Sequence, residues 1–214
     1  MEFGDVVRKR RMIRDYRPDP VDSALVDMIL DLGRRVPSAG FSQGIDFVVL
    51  EGPAQTARFW DCTLPPEKRA SFPWPGLFVA PVLVLPMADQ RAYLSRYSEP
   101  DKRHAGLGDD ADAWPVPYWH VDTGMAAMVV LQAAVDNGLG ALFFGIFSNE
   151  DTLLRELGVP AEVRPIGAIA LGYPTDEALA RTREASAKSR PRRPLDEVIH
   201  RNGWNTEEPV RPSP

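Results

Sequence analysis

One segment sets the terms for the whole chain. From Asp122 to Asn137, just ahead of Gly138, apolar residues follow one another almost without a break: Ala126, Ala127, Met128, Val129, Val130, Leu131, Ala133, Ala134 and Val135. A helix of this composition has little polar face, so it must be covered on every side, either in a large core or at a subunit interface. Its most apolar stretch, Met125 to Val135, is far short of the ~20 residues that span a bilayer. It therefore asks for other elements to surround it.

The flanking sequence supplies them. Asp22 or Ser23 can cap a helix whose Leu25, Val26, Ile29, Leu32 and Val36 form a 3.6-residue stripe. That helix is predicted to run up to Pro37, because proline disfavours helical geometry in the residue before it. Phe47 to Leu50 reads as a strand and Gln55 to Cys62 as a short helix. Phe78 to Met87 is a buried-type strand, with Pro81 and Pro86 arguing for an edge position or an irregular course. Ala141 to Phe147 is a second strong strand. Ser148 with Asp151 forms a capping-box start for a helix ending at Gly158. Ile166 to Tyr173 is a glycine-spaced strand, and Leu195 to Ile199 a last short element. Residues 88–119 are the least regular, and their aromatics (Tyr93, Tyr97, Trp114, Tyr118, Trp119) favour a packed lid over a floppy linker. The order predicts an α+β protein with one sheet wrapped by helices, in a single domain over 1–214.

Composition narrows the class. The 214 residues are 44% hydrophobic and 26% charged, as in ordinary folded soluble proteins. The single Cys62 excludes a disulfide scaffold. The N-terminus lacks the apolar stretch of a signal peptide, and a cytoplasmic protein without a membrane span is expected. The 25 Lys and Arg against 30 Asp and Glu leave a net charge of −5, yet the positive charge is crowded at the two ends. Arg8, Lys9, Arg10, Arg11, Arg14 and Arg17 form one cluster, and Arg181, Arg183, Lys188, Arg190, Arg192 and Arg193 the other. Solvated charged faces are one explanation; convergence of both ends on an anion is the other. The acidic total and the lack of basic residues interleaved with aromatics argue against nucleic acid.

Side chains for acid, base or nucleophilic work are few. His104, His120 and His200 lack metal-ligand spacing, and Cys62 has no visible base to activate it. There is no G-x-S-x-G elbow, no G-x-x-x-x-G-K-[ST] loop, and no strand followed by G-x-G-x-x-G. An enzyme built from this sequence needs a cofactor to carry the reactive atoms.

Five motifs point to one. Arg10-Arg11-Met12-Ile13-Arg14-Asp15-Tyr16 resembles the R-R-S-x-R-x-[FY] opening of the nitroreductase family of FMN-dependent oxidoreductases. Pro37-Ser38-Ala39-Gly40-Phe41-Ser42-Gln43, leading to Phe47-Val48-Val49, is similar to its P-S-A-x-N-x-Q-P-W-x-F-V-V stretch. Gly138 to Gly145 resembles G-L-G-x-x-W-x-G. Leu157-Gly158-Val159-Pro160 with Ile169 to Pro174 resembles L-G-[IV]-P followed by A-x-[IVL]-x-[LI]-G-Y-P. Arg192-Arg193-Pro194-Leu195-Asp196-Glu197-Val198-Ile199 resembles [KR]-[RK]-P-L-[DE]-E-[VI]-[VI]. The motifs run in family order from residue 10 to residue 199, nearly the whole chain.

The resemblance implies a nitroreductase-like fold, with a central mixed or antiparallel sheet of about four to five strands, and a homodimer with flavin sites between subunits. Arg10 and Arg192 are expected to bind the FMN phosphate, with Arg11, Arg190 and Arg193 in support; forked guanidinium donors suit a phosphate dianion. Arg14 is placed near the pyrimidine edge, where positive charge favours flavin reduction. If residues 10–14 were helical, Arg10 and Arg14 would lie about 6 Å apart on one face. Three charge-assisted hydrogen bonds would supply roughly 5–9 kcal/mol of the roughly 12 that nanomolar binding needs. Ring contacts must provide the rest: Pro37, Ser38, Ala39 and Gly40 as a small-residue platform on one side, and Phe144, Gly145 and Ile146 on the other, with Met12 and Gln43 also expected at the cofactor. Phe41, Tyr93, Tyr97, Trp114, Tyr118 and Trp119 are the candidate substrate contacts. Catalysis then needs no dedicated side chain: NAD(P)H reduces the flavin, and a small electron-poor acceptor such as a nitroaromatic or quinone takes the electrons in a ping-pong cycle.

The chain departs from the family pattern at Met12 for Ser, Phe41 for Asn, and Gly44-Ile45 for Pro-Trp. Those positions leave open a same-fold flavoenzyme with another reaction, such as reductive dehalogenation, flavin breakdown or dehydrogenation, and a flavin-binding protein without turnover.

Overall fold

The computed structural model describes residues 1–184 and 191–204. Its helices are α1 (Phe3–Lys9), α2 (Ser23–Gly33), α3 (Pro53–Thr63), α4 (Pro66–Arg69), α5 (Gln90–Tyr97), α6 (Tyr118–Asp136), α7 (Glu150–Glu156) and α8 (Asp176–Glu184). Its strands are β1 (Ile45–Glu51), β2 (Val82–Asp89), β3 (Gly140–Phe144), β4 (Val163–Pro165) and β5 (Ala168–Gly172). They form one sheet in the order β1-β2-β5-β3, with β4 also paired to β2, and every pairing is antiparallel. The expected α+β architecture is therefore present.

Strand β2 is the centre of the sheet, not an edge, and Pro86 shows how a proline is accommodated there. β5 pairs with Val82 to Val84, and β4 with Met87 to Asp89, so Pro86 lies at the handover between the two. The Pro86 carbonyl accepts from the Ile166 N–H at 3.1 Å. Since N and O of one strand residue point the same way, its missing N–H faces that gap and no ladder bond to β1 is lost. The predicted Ile166–Tyr173 strand corresponds to β5, and the short β4 before it, on the other side of the same gap, was not predicted.

Strand alternation sorts the core into two layers. Leu83, Leu85, Met87 and Leu142 face Phe59 and Trp60 of α3 and Leu153 and Leu154 of α7. Val82, Val84, Ala141, Ile169 and Leu171 face α2 and α6 through Val26, Ile29, Ala127, Val130, Leu131 and Ala134. Helix α6 crosses α2 at Gly33, where an added Cβ would sit 2.8 Å from Val130 Cγ2. α6 thus packs in the core, one of the two positions expected for it, and begins four residues early at Tyr118. Covering it on all sides is not complete: Val121, Met125 and Met128 remain exposed.

Further boundaries differ from expectation: β2 starts at Val82, after a turn at Pro75–Val79, instead of at Phe78, and β3 ends at Phe144 instead of Phe147. α2 stops at Gly33, short of Pro37. α7 is entered through Asn149 in a left-handed conformation (φ 57°), not through a Ser148 capping box. The Asn149 side chain instead donates to the Cys62 carbonyl at 3.0 Å, joining α7 to α3. Residues 10–14, finally, are not helical. α1 ends at Lys9, and the chain then runs extended beside β3, with a parallel bridge from Met12 to Ala141 and an Ile13 N–H···O Ala141 bond of 3.0 Å. The free edge of β3 offers unpaired backbone groups, and this segment satisfies them.

The expected lid at 88–119 is ordered by its own small core. Asp89 caps α5 by accepting from the Arg91 N–H, and Tyr93, Trp114 and Trp119 pack together with edge-to-face ring contacts of 5.8–6.0 Å. No helix among the described residues is long and apolar enough to cross a membrane.

Candidate functional site

The extended course of residues 10–17 decides what the N-terminal arginines can do. Tyr16 anchors the segment: its buried hydroxyl donates to the carbonyls of Ile13 (3.0 Å) and Ala170 (3.2 Å). Arg10 caps the C-terminus of α1, and its Nη1 is buried without a hydrogen-bond partner. A guanidinium N–H in that state is costly unless an acceptor arrives. Among the described residues only Trp60 Nε1 shares this condition. Arg11 differs from its neighbour: it is exposed, its Nη1 donates to the carbonyls of Arg8 and Arg10, and it lines a cleft of about 400 Å³ with Lys9 and Leu139. Met12 is half-buried against both core layers. The Arg14 guanidinium lies 5.1 Å from the Trp74 ring centroid and donates to the Met12 carbonyl at 3.2 Å. Gly76 lets this happen, since a Cβ there would run into Asp15 and come within 2.8 Å of the Arg14 carbonyl.

The second part is the loop after α2. Pro37 is exposed, and Ser38 opens a tight turn in which Gly40, Phe41 and Gln43 all adopt left-handed backbone (φ 62°, 59° and 54°). Two of the three carry side chains that resist this conformation, so the surroundings must hold it. They do. The Phe41 N–H donates to the Ser38 carbonyl (2.8 Å), the Gln43 N–H to Ser38 Oγ (3.0 Å), and Ser42 Oγ to the Ala39 carbonyl (2.6 Å). From outside, Arg96 Nε of α5 donates to the Gly40 carbonyl (2.9 Å), while Asp122 Oδ2 of α6 accepts from the Ala39 N–H (2.9 Å). The loop presents small residues and backbone groups, with Phe41 projecting at 71% exposure.

The third part is the end of β3. Phe144 stacks on Trp60 with centroids 5.8 Å apart and planes at 5°, and Ile146 packs on the same core. Gly145 leaves room for the ring of Phe147, which is 93% exposed. In the tail, Arg192 and Arg193 are exposed, and Arg193 is committed to Glu197 of its own turn. Arg190 lies outside the described residues.

The six substrate candidates separate by burial. Tyr93, Trp114 and Trp119 are at most 7% exposed and serve the core of the lid, so their rings are closed to a ligand in this structure. Tyr97 is half-buried and packs on Gly40, while Phe41 and Tyr118 face solvent. Burial and the carboxylates of Glu156 and Asp61 push the Cys62 thiol up, the wrong direction for a nucleophile. No group of His, Cys, Asp and Glu suited to a metal occurs among the described residues.

Sequence reasoning missed Asp122, Arg96, Trp74 and Phe147. Asp122 left a trace, as an acid ahead of the apolar run of its helix. Arg96 and Trp74 left none, because only the packing of α5 and of the turn at Pro75–Val79 brings them to Gly40 and Arg14.

These parts describe an α+β protein with a buried cationic donor that has no hydrogen-bond partner and a braced loop of small residues. A family model described as the nitroreductase family matches residues 7–173, and the chain belongs to that family. A provisionally named NADH dehydrogenase/NAD(P)H nitroreductase of Methanothermobacter thermautotrophicus is 27% identical over 181 residues, covering 82% of this chain and 79% of its own. A second relative under the same name, from Archaeoglobus fulgidus, is 26% identical over 203 residues, covering 93% and 97%. A nitroreductase structure from Desulfovibrio desulfuricans, in complex with FMN, superposes with a TM-score of 0.66 at 24% identity, covering 96% of this chain and 99% of that one.

Proposed function

We propose that this chain is an FMN-dependent oxidoreductase that draws electrons from NAD(P)H and delivers them to a small electron-poor acceptor, a nitroaromatic or a quinone. The observation that carries the reading is Arg10, whose buried, unpartnered Nη1 is a donor awaiting an anion. The donor set suits the cofactor. Arg10 would take the phosphate, with Arg11, Arg190, Arg192 and Arg193 in support, and Arg14 would lie near the ring, its charge favouring the reduced state. Met12, Pro37, Ser38, Ala39, Gly40 and Gln43 would line one side of the ring site and Phe144, Gly145 and Ile146 another. When bound, FMN supplies two-electron chemistry, accepting hydride from NAD(P)H and releasing electrons to the second substrate in a ping-pong cycle. This chain's residues bind, orient and shield the ring; none is needed as an acid, base or nucleophile.

A homodimer fits the same reading. Phe3 and Val7 of α1, Met28 and Leu32 of α2, and Val121, Met125 and Met128 of α6 are all exposed, on helices that pack against one another. A second copy covering them would complete the burial that the composition of α6 calls for.

The test is a visible spectrum of purified protein, with and without added FMN, followed anaerobically after NADH and after NADPH. Flavin absorbance that bleaches with either reductant supports the proposal. Protein that stays colourless with FMN present, or bound flavin that neither nucleotide reduces, refutes it.

A further inference from the structure

Asp122 is 2% exposed, sits on the long, largely apolar helix α6, and has no ion-pair partner among the described residues. A carboxylate so buried is tolerated only if donors reach it. Two do, and both reach the same oxygen: Oδ2 accepts from the Ala39 N–H at 2.9 Å and from the Tyr93 hydroxyl at 2.8 Å. One donor belongs to the strained loop and the other to the core of the lid. Burial and the facing carboxylate raise the Tyr93 phenol, so it remains the donor.

We infer that Asp122 is the positioning residue of the 38–43 loop, fastening it to the lid through Tyr93 and so holding Phe41 in its left-handed, exposed state. The loop's other bonds, Phe41 N–H and Gln43 N–H to Ser38 and Ser42 N–H to Ala39, are all local. Local bonds cannot fix where the loop stands against the rest of the protein; Asp122 and Arg96 supply the external ties. Arg96 holds the Gly40 carbonyl from a surface helix, where it also serves Glu99 and Asp101. Asp122 holds Ala39 from the centre of the fold. Loop and lid thus share one buried anchor, and loosening it should release both. The loop's service to a flavin rests on the function proposed above; the anchoring itself does not.

Amide hydrogen exchange on the protein without added flavin tests the anchor in Asp122→Ala, Asp122→Asn and Tyr93→Phe. Loss of one such bond should speed exchange at Ala39, Phe41, Ser42 and Gln43 about tenfold in Asp122→Ala, while β2 and β5 stay protected. Asp122→Asn keeps an acceptor without the charge and should fall between the two. Tyr93→Phe should loosen α5 and, less strongly, the loop. If Asp122→Ala does not fold, the other two variants decide. Unchanged loop amides in both, or acceleration only in step with β2 and β5, would overturn the inference. FMN titration of Asp122→Asn separates the two readings. Weaker binding than wild type ties the anchored loop to the flavin, whereas unchanged binding to a loosened loop overturns that tie and leaves the anchor supported by the exchange result. A wild type that binds no FMN sinks the cofactor reading and leaves the exchange result standing.

Discussion

Replacing Arg10 with methionine should stabilise the protein without cofactor and weaken it as a flavin protein. The buried Nη1 lacks an acceptor, and an unsatisfied buried donor costs about 1–3 kcal/mol. Arg10 also caps the C-terminus of α1, where a cation contributes about 0.3–1 kcal/mol. Arg8 and Lys9 remain in that last turn, so the loss there is at the lower end. The net gain for Arg10→Met is about 1–2 kcal/mol, which for a chain of this size raises Tm by roughly 2–8 °C. With FMN the sign reverses. A charge-assisted hydrogen bond to phosphate is worth about 1.5–3 kcal/mol, so Kd should rise roughly 10- to 150-fold. At a concentration of about 100 times the wild-type Kd, bound ligand stabilises wild type by about 2.7 kcal/mol. A 50-fold weaker variant would keep less than 1 kcal/mol of that. Thermal melts across an FMN titration should therefore cross, the variant melting higher without flavin and lower with it. An apoprotein variant that melts no higher than wild type would refute the claim that Arg10 is held at a cost. An unchanged Kd would refute its role at the phosphate.

Other consequences follow from single contacts. Gly76→Ala places a methyl against Asp15 and the Arg14 carbonyl, and should lower Tm and weaken FMN binding together; equal melts would show that the turn shifts freely. The Arg96 guanidinium holds the Asp101 carboxyl down to about 2. Its contribution is therefore present above the usual Asp range near 4 and lost as pH falls from there towards 2, so Tm of wild type and Asp101→Asn should converge across that window and differ by a constant above it. The raised Cys62 thiol should react with iodoacetamide more slowly at pH 7.5 than free cysteine, and Cys62→Ser should leave flavin reduction intact; loss of reduction would reopen a nucleophilic role. The pair Met125→Glu and Met128→Glu should shift a dimer towards monomer in light scattering, whereas an unchanged mass would remove this face from the interface.

Much of the frame could be read from residue order, because local periodicity reports burial. The alternation of β2 sends Val82 and Val84 to one layer and Leu83, Leu85 and Met87 to the other, and the composition of α6 calls for cover in a core or at an interface. The motifs carried the family as well, since Arg10, Arg14 and the Pro37–Gln43 stretch keep their spacing whatever the local conformation. Conformation itself was less legible. Residues 10–14 carry no sign that β3 lacks a neighbour on that side, so their extended course depends on Ala141, far along the chain. Pro86 looked like an edge marker, because nothing local shows that β5 stops and β4 begins beside it. The lid aromatics could be recognised as packers, but not which of them would be buried.

The sequence alone thus determined the class of fold, the family and the arginines available to meet an anion. Only the tertiary structure decided which arginine lacks an acceptor, that Tyr93, Trp114 and Trp119 are buried in the core of the 88–119 segment, and that a single oxygen of Asp122 joins that segment to the loop. The reason is physical: burial follows from a residue's own hydrophobicity and its near neighbours, whereas a hydrogen bond needs two groups, and here the partners lie 83 and 29 residues apart.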